Sequence, residues 1–137
     1  ESRKGTELKE NPVAAIAFWW GDLERSVRIE GKVERVSAAE SDAYFNSRPR
    51  GSQIGAWTSN QSHEISSREE LEEQEKRIVD KFSDESVPVP RPPHWGGFRL
   101  VPHRMEFWKG RQSRIHDRIV FVPDSGGKGW TSKRLQP

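Results

Sequence analysis

Apolar and polar residues follow different periods along the chain, and these periods predict where strands and helices lie. Residues 13–20 (VAAIAFWW) form an unbroken apolar run of strand length, which we expect to be buried on both faces. After a turn at Gly21-Asp22, residues 26–36 alternate between apolar and polar, which indicates a half-buried antiparallel strand with Gly31 at a bulge. Together the two segments predict a β-hairpin.

Helix start signals mark the middle of the chain. Ser37-Ala38-Ala39-Glu40 and Ser67-Arg68-Glu69-Glu70 both have the spacing of a capping box, in which serine and glutamate bond to backbone N–H groups of the first turn. The first motif predicts a helix to about Ser47, ending before Pro49. The second predicts a helix with a narrow apolar stripe, ending near Asp84. Shorter helices are expected over residues 3–10 and 51–59.

Proline and glycine separate the remaining elements. Residues 87–93 (VPVPRPP) are typical of an extended, stiff connector, and a ligand for a polyproline-recognition domain is the alternative. A glycine-rich hairpin loop is predicted at 124–129. Short strands are expected over residues 98–101, 104–108, 119–122 and 130–135.

The order of these elements predicts an α+β fold, mainly β, with an antiparallel sheet or barrel and helices inserted between its halves. The length of 137 residues fits a single domain. Within it we expect strands and helices over 1–86, a proline-rich connector over 87–94 and further strands over 95–137.

Composition narrows the classes of function. Hydrophobic residues make up 31% of the chain and charged residues 32%, which indicates that a partner subunit, a ligand or further chain completes the core. A net charge of +2 is not typical of a nucleic-acid binder. No segment approaches the ~20 apolar residues that cross a bilayer, so we expect no membrane insertion. The absence of cysteine excludes thiol chemistry and is compatible with a cytoplasmic location.

The segment from Glu106 to Arg118 (EFWKGRQSRIHDR) carries the clearest chemical signal. It places planar cations beside flat apolar side chains. Guanidinium groups bind phosphate through two hydrogen bonds and also stack on rings, so the segment suits an anionic, aromatic small molecule. The alternative is a strand end followed by a solvated basic turn.

Two further groups are candidates for anion binding. Arg3-Lys4 lies at a predicted helix start, where backbone N–H groups also favour anions. Tyr44, Arg48 and Ser52 are spaced four apart and would share one face of a continuous helix, as a phosphate clamp. An ordinary exposed pair and a helix C-terminus with a favourable cation are the respective alternatives.

Other chemistries lack their motifs. The sequence has no GxxxxGK[ST], GxGxxG, HExxH or GxSxG segment. None of the histidines is paired with another at metal-ligand spacing, so we expect no metal site. Only His116 lies among candidate ligand-binding groups, and a lone histidine is more often structural than catalytic. The histidines are His63, His94, His103 and His116.

In their order along the chain, these segments resemble the pyridoxamine 5′-phosphate oxidase (pyridoxal 5′-phosphate synthase) family. The spans FNSRPRGSQIGA and SRIHDR are long and chemically unusual, and the resemblance covers nearly the whole chain. The matching segments are Glu1-Ser2-Arg3-Lys4-Gly5, Asn11-Pro12, Val27-Arg28-Ile29-Glu30-Gly31, Tyr44-Phe45-Asn46-Ser47-Arg48-Pro49, Gly51-Ser52-Gln53-Ile54-Gly55-Ala56, Trp95-Gly96-Gly97, Glu106-Phe107-Trp108 and Arg114-Ile115-His116-Asp117-Arg118.

The resemblance implies an FMN-binding split β-barrel that works as a homodimer with FMN at the subunit interface. It implies oxidation of pyridoxamine 5′-phosphate or pyridoxine 5′-phosphate to pyridoxal 5′-phosphate, with O2 as acceptor and H2O2 as product. The cofactor would supply the redox chemistry and the protein positioning and electrostatics. Residues 95–137 would then be the dimerisation and active-site strands.

The resemblance also implies a role for each matching position. The FMN phosphate would be held by Arg3 and Lys4, and further FMN contacts would come from Gln61, Ser62, Trp108 and Arg118. The substrate phosphate would be held by Tyr44, Arg48 and Ser52. Arg114, Ile115 and His116 would contact the substrate, with Arg114 and His116 as the catalytic pair. Asp117 would orient a neighbouring cation.

Two departures from the family pattern bear on these expectations. Ser26 stands where the family usually has a glutamine that contacts FMN, which should cost about one hydrogen bond, roughly 0.5–1.5 kcal/mol. The family's upstream strands lie before Glu1, so the chain resembles the C-terminal portion of a longer protein. A catalytically silent flavin-binding or structural fragment is the alternative function, and an anion or nucleic-acid binder is a third.

Overall fold

The computed structural model describes residues 2–137, which form four α-helices, one 3-10 helix and a five-stranded antiparallel sheet. The sheet has the order β1-β2-β3-β4-β5. This arrangement confirms the predicted α+β class. The helices are α1 (Arg3–Glu10), α2 (Ala38–Asn46), α3 (Arg50–Thr58) and α4 (Arg68–Lys81), and the 3-10 helix is Gln112–Arg114. The strands are β1 (Val13–Trp20), β2 (Arg25–Arg35), β3 (Phe98–Lys109), β4 (Asp117–Pro123) and β5 (Trp130–Leu135).

The chain folds into two compact units. The helix unit comprises the described residues up to Glu10 together with Arg35–Phe98, and it contains the four α-helices. The sheet unit comprises Asn11–Glu34 and Arg99–Pro137. The grouping of residues 1–86, 87–94 and 95–137 within one domain stays a prediction. No helix among residues 2–137 is long and apolar enough to cross a membrane.

Strands β1 and β2 form the predicted hairpin, but two details differ. Their register runs from Val13 opposite Lys32 to Trp20 opposite Arg25 with no skipped residue, so the predicted bulge at Gly31 is absent from this pair of strands. Burial of β1 on both faces was also wrong, because β1 is an edge strand of the sheet and most of its side chains are exposed. An apolar run indicates that both faces of a strand could be buried, but it does not identify the segment that would pack against them.

Gly31 on β2 is required by a close approach to β3 instead. A Cβ atom at this position would lie 2.2 Å from the carbonyl oxygen of Val101 and 2.5 Å from Cδ2 of Leu100. Any side chain would therefore force the two strands apart. Glycine inside a strand often marks such an approach of another backbone.

The helix boundaries follow the capping signals. Ser37 Oγ accepts a hydrogen bond from Glu40 N at 3.1 Å, and the Glu40 carboxylate accepts one from Ser37 N at 3.2 Å, which confirms the first capping box. In the second motif Ser67 Oγ accepts from Glu70 N at 3.2 Å, whereas the Glu70 carboxylate bonds to Ser66. The predicted helices over 3–10 and 51–59 are confirmed within one residue.

Helix α4 ends at Lys81, three residues before the predicted end. The guanidinium group of Arg50 donates to the carbonyl oxygens of Phe82 at 2.7 Å and Asp84 at 2.9 Å. These carbonyls follow the last helical turn and are satisfied by a side chain that is distant in sequence. Arg50 therefore fixes the chain direction after α4.

Prolines act differently from the prediction in two places. The segment 87–93 packs into the helix unit, where Val89 and Pro92 are fully buried and Trp57 Nε1 donates to Pro90 O at 2.7 Å. The segment therefore contributes to the core of the helix unit, a role that the prediction of an extended, stiff connector did not include. Strand β3 runs unbroken from Phe98 to Lys109 through Pro102, where two strands were predicted. The fixed φ of proline is compatible with extended backbone, so a single proline need not end a strand.

Candidate functional site

The candidate FMN-phosphate residues meet within the helix unit. Lys4 Nζ at the start of α1 donates a hydrogen bond to Gln61 Oε1, a residue 57 positions away in the loop after α3. Arg3 and Ser62 line one surface pocket of about 560 Å³. The remaining residues that line it are Thr6, Asn60 and His63. The fold thus joins Lys4 to Gln61 by a hydrogen bond and places Arg3 and Ser62 in a pocket whose polar, cationic lining suits a phosphate.

Arg3 remains available to an anion. Among residues 2–137 its guanidinium group pairs with Glu7, one helical turn away, with Arg3 Nε and Glu7 Oε1 2.7 Å apart and both side chains exposed. Exposed ion pairs of this kind contribute little, because water screens them and both side chains lose freedom. A bound phosphate could therefore replace Glu7 at small cost.

Tyr44 and Arg48 are both placed by the indole of Trp95. The Arg48 guanidinium carbon lies 5.2 Å from the centre of the Trp95 ring, and the Tyr44 ring stacks on it at 6.0 Å. Phe45, which is fully buried, meets the same ring edge-on at 5.2 Å. Two of the three candidate substrate-phosphate residues therefore share one aromatic support.

Arg48 carries an unsatisfied donor. Its Nη1 atom is buried and has no hydrogen-bond partner among the described residues. Leaving a buried donor of a charged group unpaired is costly, so such groups in native proteins normally meet a partner. An anion is the partner that a guanidinium donor prefers.

The shared helical face predicted for Tyr44, Arg48 and Ser52 was wrong. Helix α2 ends at Asn46, and Arg48 lies between α2 and α3 because Pro49 does not continue the helix. Ser52 lies in the first turn of α3, where its backbone N donates to Pro49 O at 2.9 Å. Its hydroxyl makes no hydrogen bond within residues 2–137.

Trp108 is the centre of the candidate site in the sheet unit. It lies on β3 directly opposite Arg118 on β4. Its ring contacts that of His116 at 4.8 Å and that of Trp19 at 5.7 Å. Trp108 and Ser26 both line a pocket of about 520 Å³, which combines aromatic and cationic side chains. The structure thus places Ser26, Trp108, His116 and Arg118 near one another.

The loop between β3 and β4 is held in an unusual backbone conformation. Ser113 and Arg114 have φ angles of 58° and 65°, the left-handed region that non-glycine residues seldom adopt. The side chains of Arg114 and Ile115 are exposed, and within the part of the chain that the structure describes Arg114 makes no hydrogen bond or ion pair. Arg114 is therefore presented to solvent on a fixed loop.

His116 is oriented by that loop. Arg111 N donates a hydrogen bond to His116 Nδ1 at 3.1 Å. Because Nδ1 accepts, the neutral imidazole carries its proton on Nε2. His116 can then donate a hydrogen bond from Nε2 to a ligand.

Two carboxylates hold the arginines of this region. Asp117 accepts hydrogen bonds from Arg111 at 2.8 Å and from Arg134 at 2.6 Å, and these bonds, that of Arg111 first, hold the pKa of its carboxyl below the usual value. Glu106 accepts from Arg118 at 2.7 Å and from Arg104 at 2.8 Å, and the Arg118 bond is the main cause of its lowered pKa. The sequence predicted a cation-orienting role for Asp117 but gave none to Glu106.

Two protein-family models match the chain. Residues 1–80 match the family model described as pyridoxamine 5′-phosphate oxidase. Residues 95–137 match the model described as the pyridoxine 5′-phosphate oxidase C-terminal dimerisation region. The chain therefore belongs to the pyridoxamine 5′-phosphate oxidase family, which confirms the resemblance found in the sequence.

Individual relatives agree with this assignment. The chain is 57% identical over 137 residues to pyridoxine/pyridoxamine 5′-phosphate oxidase of Bordetella pertussis strain Tohama I, covering 100% of the chain and 63% of that protein. It is 56% identical over 138 residues to the enzyme of the same name from Burkholderia multivorans, with the same coverage. The chain thus spans just under two thirds of the length of these relatives.

Solved structures confirm the predicted split-barrel fold. The structure of PhzG from Burkholderia lata 383, in complex with tetrahydrophenazine-1-carboxylic acid, has a TM-score of 0.87 and 32% identity, covering 99% of this chain and 64% of PhzG. A pyridoxamine 5′-phosphate oxidase-related, FMN-binding protein from Nostoc punctiforme PCC 73102 has a TM-score of 0.66 at 15% identity, covering 99% and 69%. The second likeness shows the fold alone.

Proposed function

We propose that the chain belongs to an FMN-dependent oxidase that converts pyridoxamine 5′-phosphate or pyridoxine 5′-phosphate to pyridoxal 5′-phosphate. O2 would be the electron acceptor and H2O2 the product. The amine substrate would also consume one water and release ammonia, whereas the alcohol substrate needs only O2. Family membership and the names of the relatives support this reaction.

The observation that carries the proposal is the buried, unpartnered Nη1 atom of Arg48. A phosphate monoester supplies the anionic oxygen that this donor lacks, and the ring of Tyr44 is stacked on the same indole. We assign the substrate phosphate to Arg48, Tyr44 and Ser52. This assignment explains why a cation is kept at a position where burial alone would disfavour it.

The residues present fit FMN as cofactor. Arg3, Lys4, Gln61 and Ser62 would hold its phosphate end, and Ser26, Trp108 and Arg118 would contact the flavin. When bound, FMN supplies the hydride acceptor that no side chain of this protein can provide. Taken separately, the polar, cationic lining of the pocket beside Arg3 suits a phosphate group, and the aromatic lining of the pocket beside Trp108 suits a flat ring.

Arg114 and His116 are proposed to act on the substrate ring. Arg114 would lie over the ring and stabilise the charge that changes as hydride leaves, a role in which a planar guanidinium differs from lysine. His116 would donate a hydrogen bond from Nε2, since Nδ1 is engaged by Arg111 N. Ile115, 72% exposed, would supply apolar contact between them.

The match of residues 95–137 to a dimerisation region supports a homodimer, and we place FMN at its interface. We also propose a cytoplasmic location.

A catalytically silent flavin-binding fragment is the alternative to the oxidase function. The likeness to PhzG favours a second candidate, oxidation of an aromatic carboxylic acid without a phosphate, although identity to PhzG is 32% against 57% to the first relative.

The test is turnover with matched variants. The protein is loaded with FMN, supplied with pyridoxamine 5′-phosphate or pyridoxine 5′-phosphate in air, and followed by formation of pyridoxal 5′-phosphate and H2O2. Arg48→Met should raise KM for the phosphate substrate by about 10-fold or more, the loss of a charge-assisted hydrogen bond, with FMN content unchanged. Arg68→Met, an exposed arginine on α4, is the control and should leave KM unchanged.

The outcomes separate the candidates. FMN retention without any pyridoxal 5′-phosphate would support the silent alternative. Turnover of an unphosphorylated aromatic acid in preference to the B6 phosphates would support the second candidate. An unchanged KM in Arg48→Met would remove Arg48 from the phosphate site.

A further inference from the structure

Five charged side chains of alternating sign run across β2, β3 and β4 and end at Arg118. We call this row the charge ladder. It comprises Arg28, Glu30, Arg104, Glu106 and Arg118 in spatial order. Successive N–O contacts are 3.1 Å from Arg28 to Glu30, 2.9 Å from Arg104 to Glu30, 2.8 Å from Arg104 to Glu106 and 2.7 Å from Arg118 to Glu106.

The strongest contact of the ladder is the one between Glu106 and Arg118. Glu106 is the least exposed member, with 12% of its side chain accessible, so water screens its contacts least. It accepts from both Nε of Arg118 at 2.7 Å and Nη2 at 3.1 Å, the paired geometry in which a carboxylate fixes a guanidinium plane. At the other end of the ladder, Arg28 is half exposed and contributes little.

These contacts determine what Arg118 can offer a ligand. Its third nitrogen, Nη1, donates to the carbonyl oxygen of Gln136 at 3.1 Å, so every nitrogen of the guanidinium already has a protein partner. The group cannot turn toward a ligand without breaking one of these bonds. The orientation of the guanidinium plane is therefore fixed. The N–H bonds of Arg118 that have no protein partner among residues 2–137 point in fixed directions as well.

We propose that Glu106 is a positioning residue that sets the orientation of Arg118 toward the flavin ring of FMN. The inference rests on the proposed function, in which Arg118 borders FMN. Glu106 itself would not touch the cofactor. It would act by holding Arg118 in one plane, supported by Arg104, which donates to Oε2, the same oxygen that accepts from Arg118 Nη2.

Positioning and simple charge balance predict opposite results. The ladder has three cations and two anions, a net charge of +1, and Glu106→Gln raises this to +2. If only charge mattered, the anionic FMN would bind as well or more tightly. If orientation matters, binding weakens, because the glutamine amide offers Arg118 one acceptor and turns an NH2 group toward the other donor.

The experiment uses the whole protein with FMN and three substitutions. FMN affinity is measured by quenching of flavin fluorescence, and the geometry around the flavin by visible circular dichroism of the bound cofactor. We expect Glu106→Gln to weaken FMN binding about tenfold and to change the visible spectrum. Glu106→Asp, which keeps the charge on a shorter side chain, should give a smaller loss. Glu34→Gln is the control, since Glu34 pairs with Arg99 at 3.6 Å on the exposed sheet surface.

A double-mutant cycle tests whether Glu106 acts through Arg118. In an Arg118→Ala background, Glu106→Gln should cause no further loss of FMN affinity. An equal loss in that background, or unchanged affinity and spectrum in Glu106→Gln alone, would overturn the inference. Thermal unfolding of each apoprotein identifies a variant that fails to fold, in which case Glu106→Asp carries the same test.

The proposed function can fail separately. If the wild-type protein binds no FMN, the proposed function fails and this inference fails with it. If the wild type binds FMN and Glu106→Gln matches it, only the positioning role of Glu106 is lost.

Discussion

Replacing Gly31 with alanine is the most direct test of the sheet. The new Cβ would lie 2.2 Å from Val101 O, 2.5 Å from Leu100 Cδ2 and 2.8 Å from Val101 C. The leucine methyl can rotate away, but the carbonyl belongs to the backbone of β3 and can move only if the strands separate. Forcing atoms into a packed site costs about 1–3 kcal/mol, and occasionally more. Because the contact is with backbone, we expect a loss of about 3 kcal/mol or more.

Gly55→Ala is the matched control, because the same substitution meets no obstacle there. Gly55 lies inside α3, and a Cβ would have nothing within 4 Å. Alanine is favoured over glycine in a helix interior by about 0.5–1 kcal/mol, so this variant should gain stability. The two variants therefore change the free energy of unfolding in opposite directions.

Thermal and urea unfolding followed by circular dichroism would measure both effects. For a protein of this size, 1 kcal/mol corresponds to a Tm shift of roughly 2–4 °C. Gly31→Ala should lower Tm by about 6–12 °C, and Gly55→Ala should raise it by about 1–4 °C. A Gly31→Ala protein with the Tm of the wild type would refute the close approach of β2 and β3.

Three further predictions concern pH, catalysis and cofactor binding. Glu106 and Asp117 have lowered pKa values, so their ion pairs stabilise the fold above the ordinary carboxyl pKa of about 4. This contribution is lost as pH falls through the lowered values. Urea unfolding between pH 7 and pH 2 should show the loss of stability, and the loss should be smaller in Glu106→Gln. Arg114→Ala should lower kcat more than FMN content, and full turnover would mean that Arg114 does not face the substrate. Ser26→Gln should tighten FMN binding by about 2- to 12-fold, the equivalent of roughly 0.5–1.5 kcal/mol, and an unchanged Kd would show that position 26 does not contact FMN.

Features set by neighbours in sequence could be predicted. The capping box at Ser37 and Glu40 closes through hydrogen bonds between residues three apart, and α2 begins there as expected. The alternation in residues 26–36 and the glycine-rich loop after Pro123 depend on equally local rules, and both hairpins form. In each case the information needed lies within a few residues.

Features set by residues distant in sequence could not be predicted. Glycine is required at position 31 because the backbone of Val101, 70 positions later, approaches it closely. No local sequence pattern distinguishes a glycine required by such an approach from a glycine at a bulge. The Glu106–Arg118 contact depends on the register that places Trp108 opposite Arg118, which a loop of irregular conformation decides. Glu106 could have been suspected only because it lies two residues from Trp108, on the same side of a strand.

The loop before β4 shows why the site itself resists local prediction. Ser113 and Arg114 both adopt left-handed φ angles, each at a cost of order 1–3 kcal/mol for a residue with a side chain. Local preference alone would place glycine or asparagine at such positions. The conformation persists because contacts that span the loop, between residues five to eight positions apart, offset its cost: Asp117 holds Arg111, Arg111 N bonds to His116, and His116 packs on Trp108. Those contacts also direct Arg114 to solvent, so the strain and the proposed substrate contact have one structural origin.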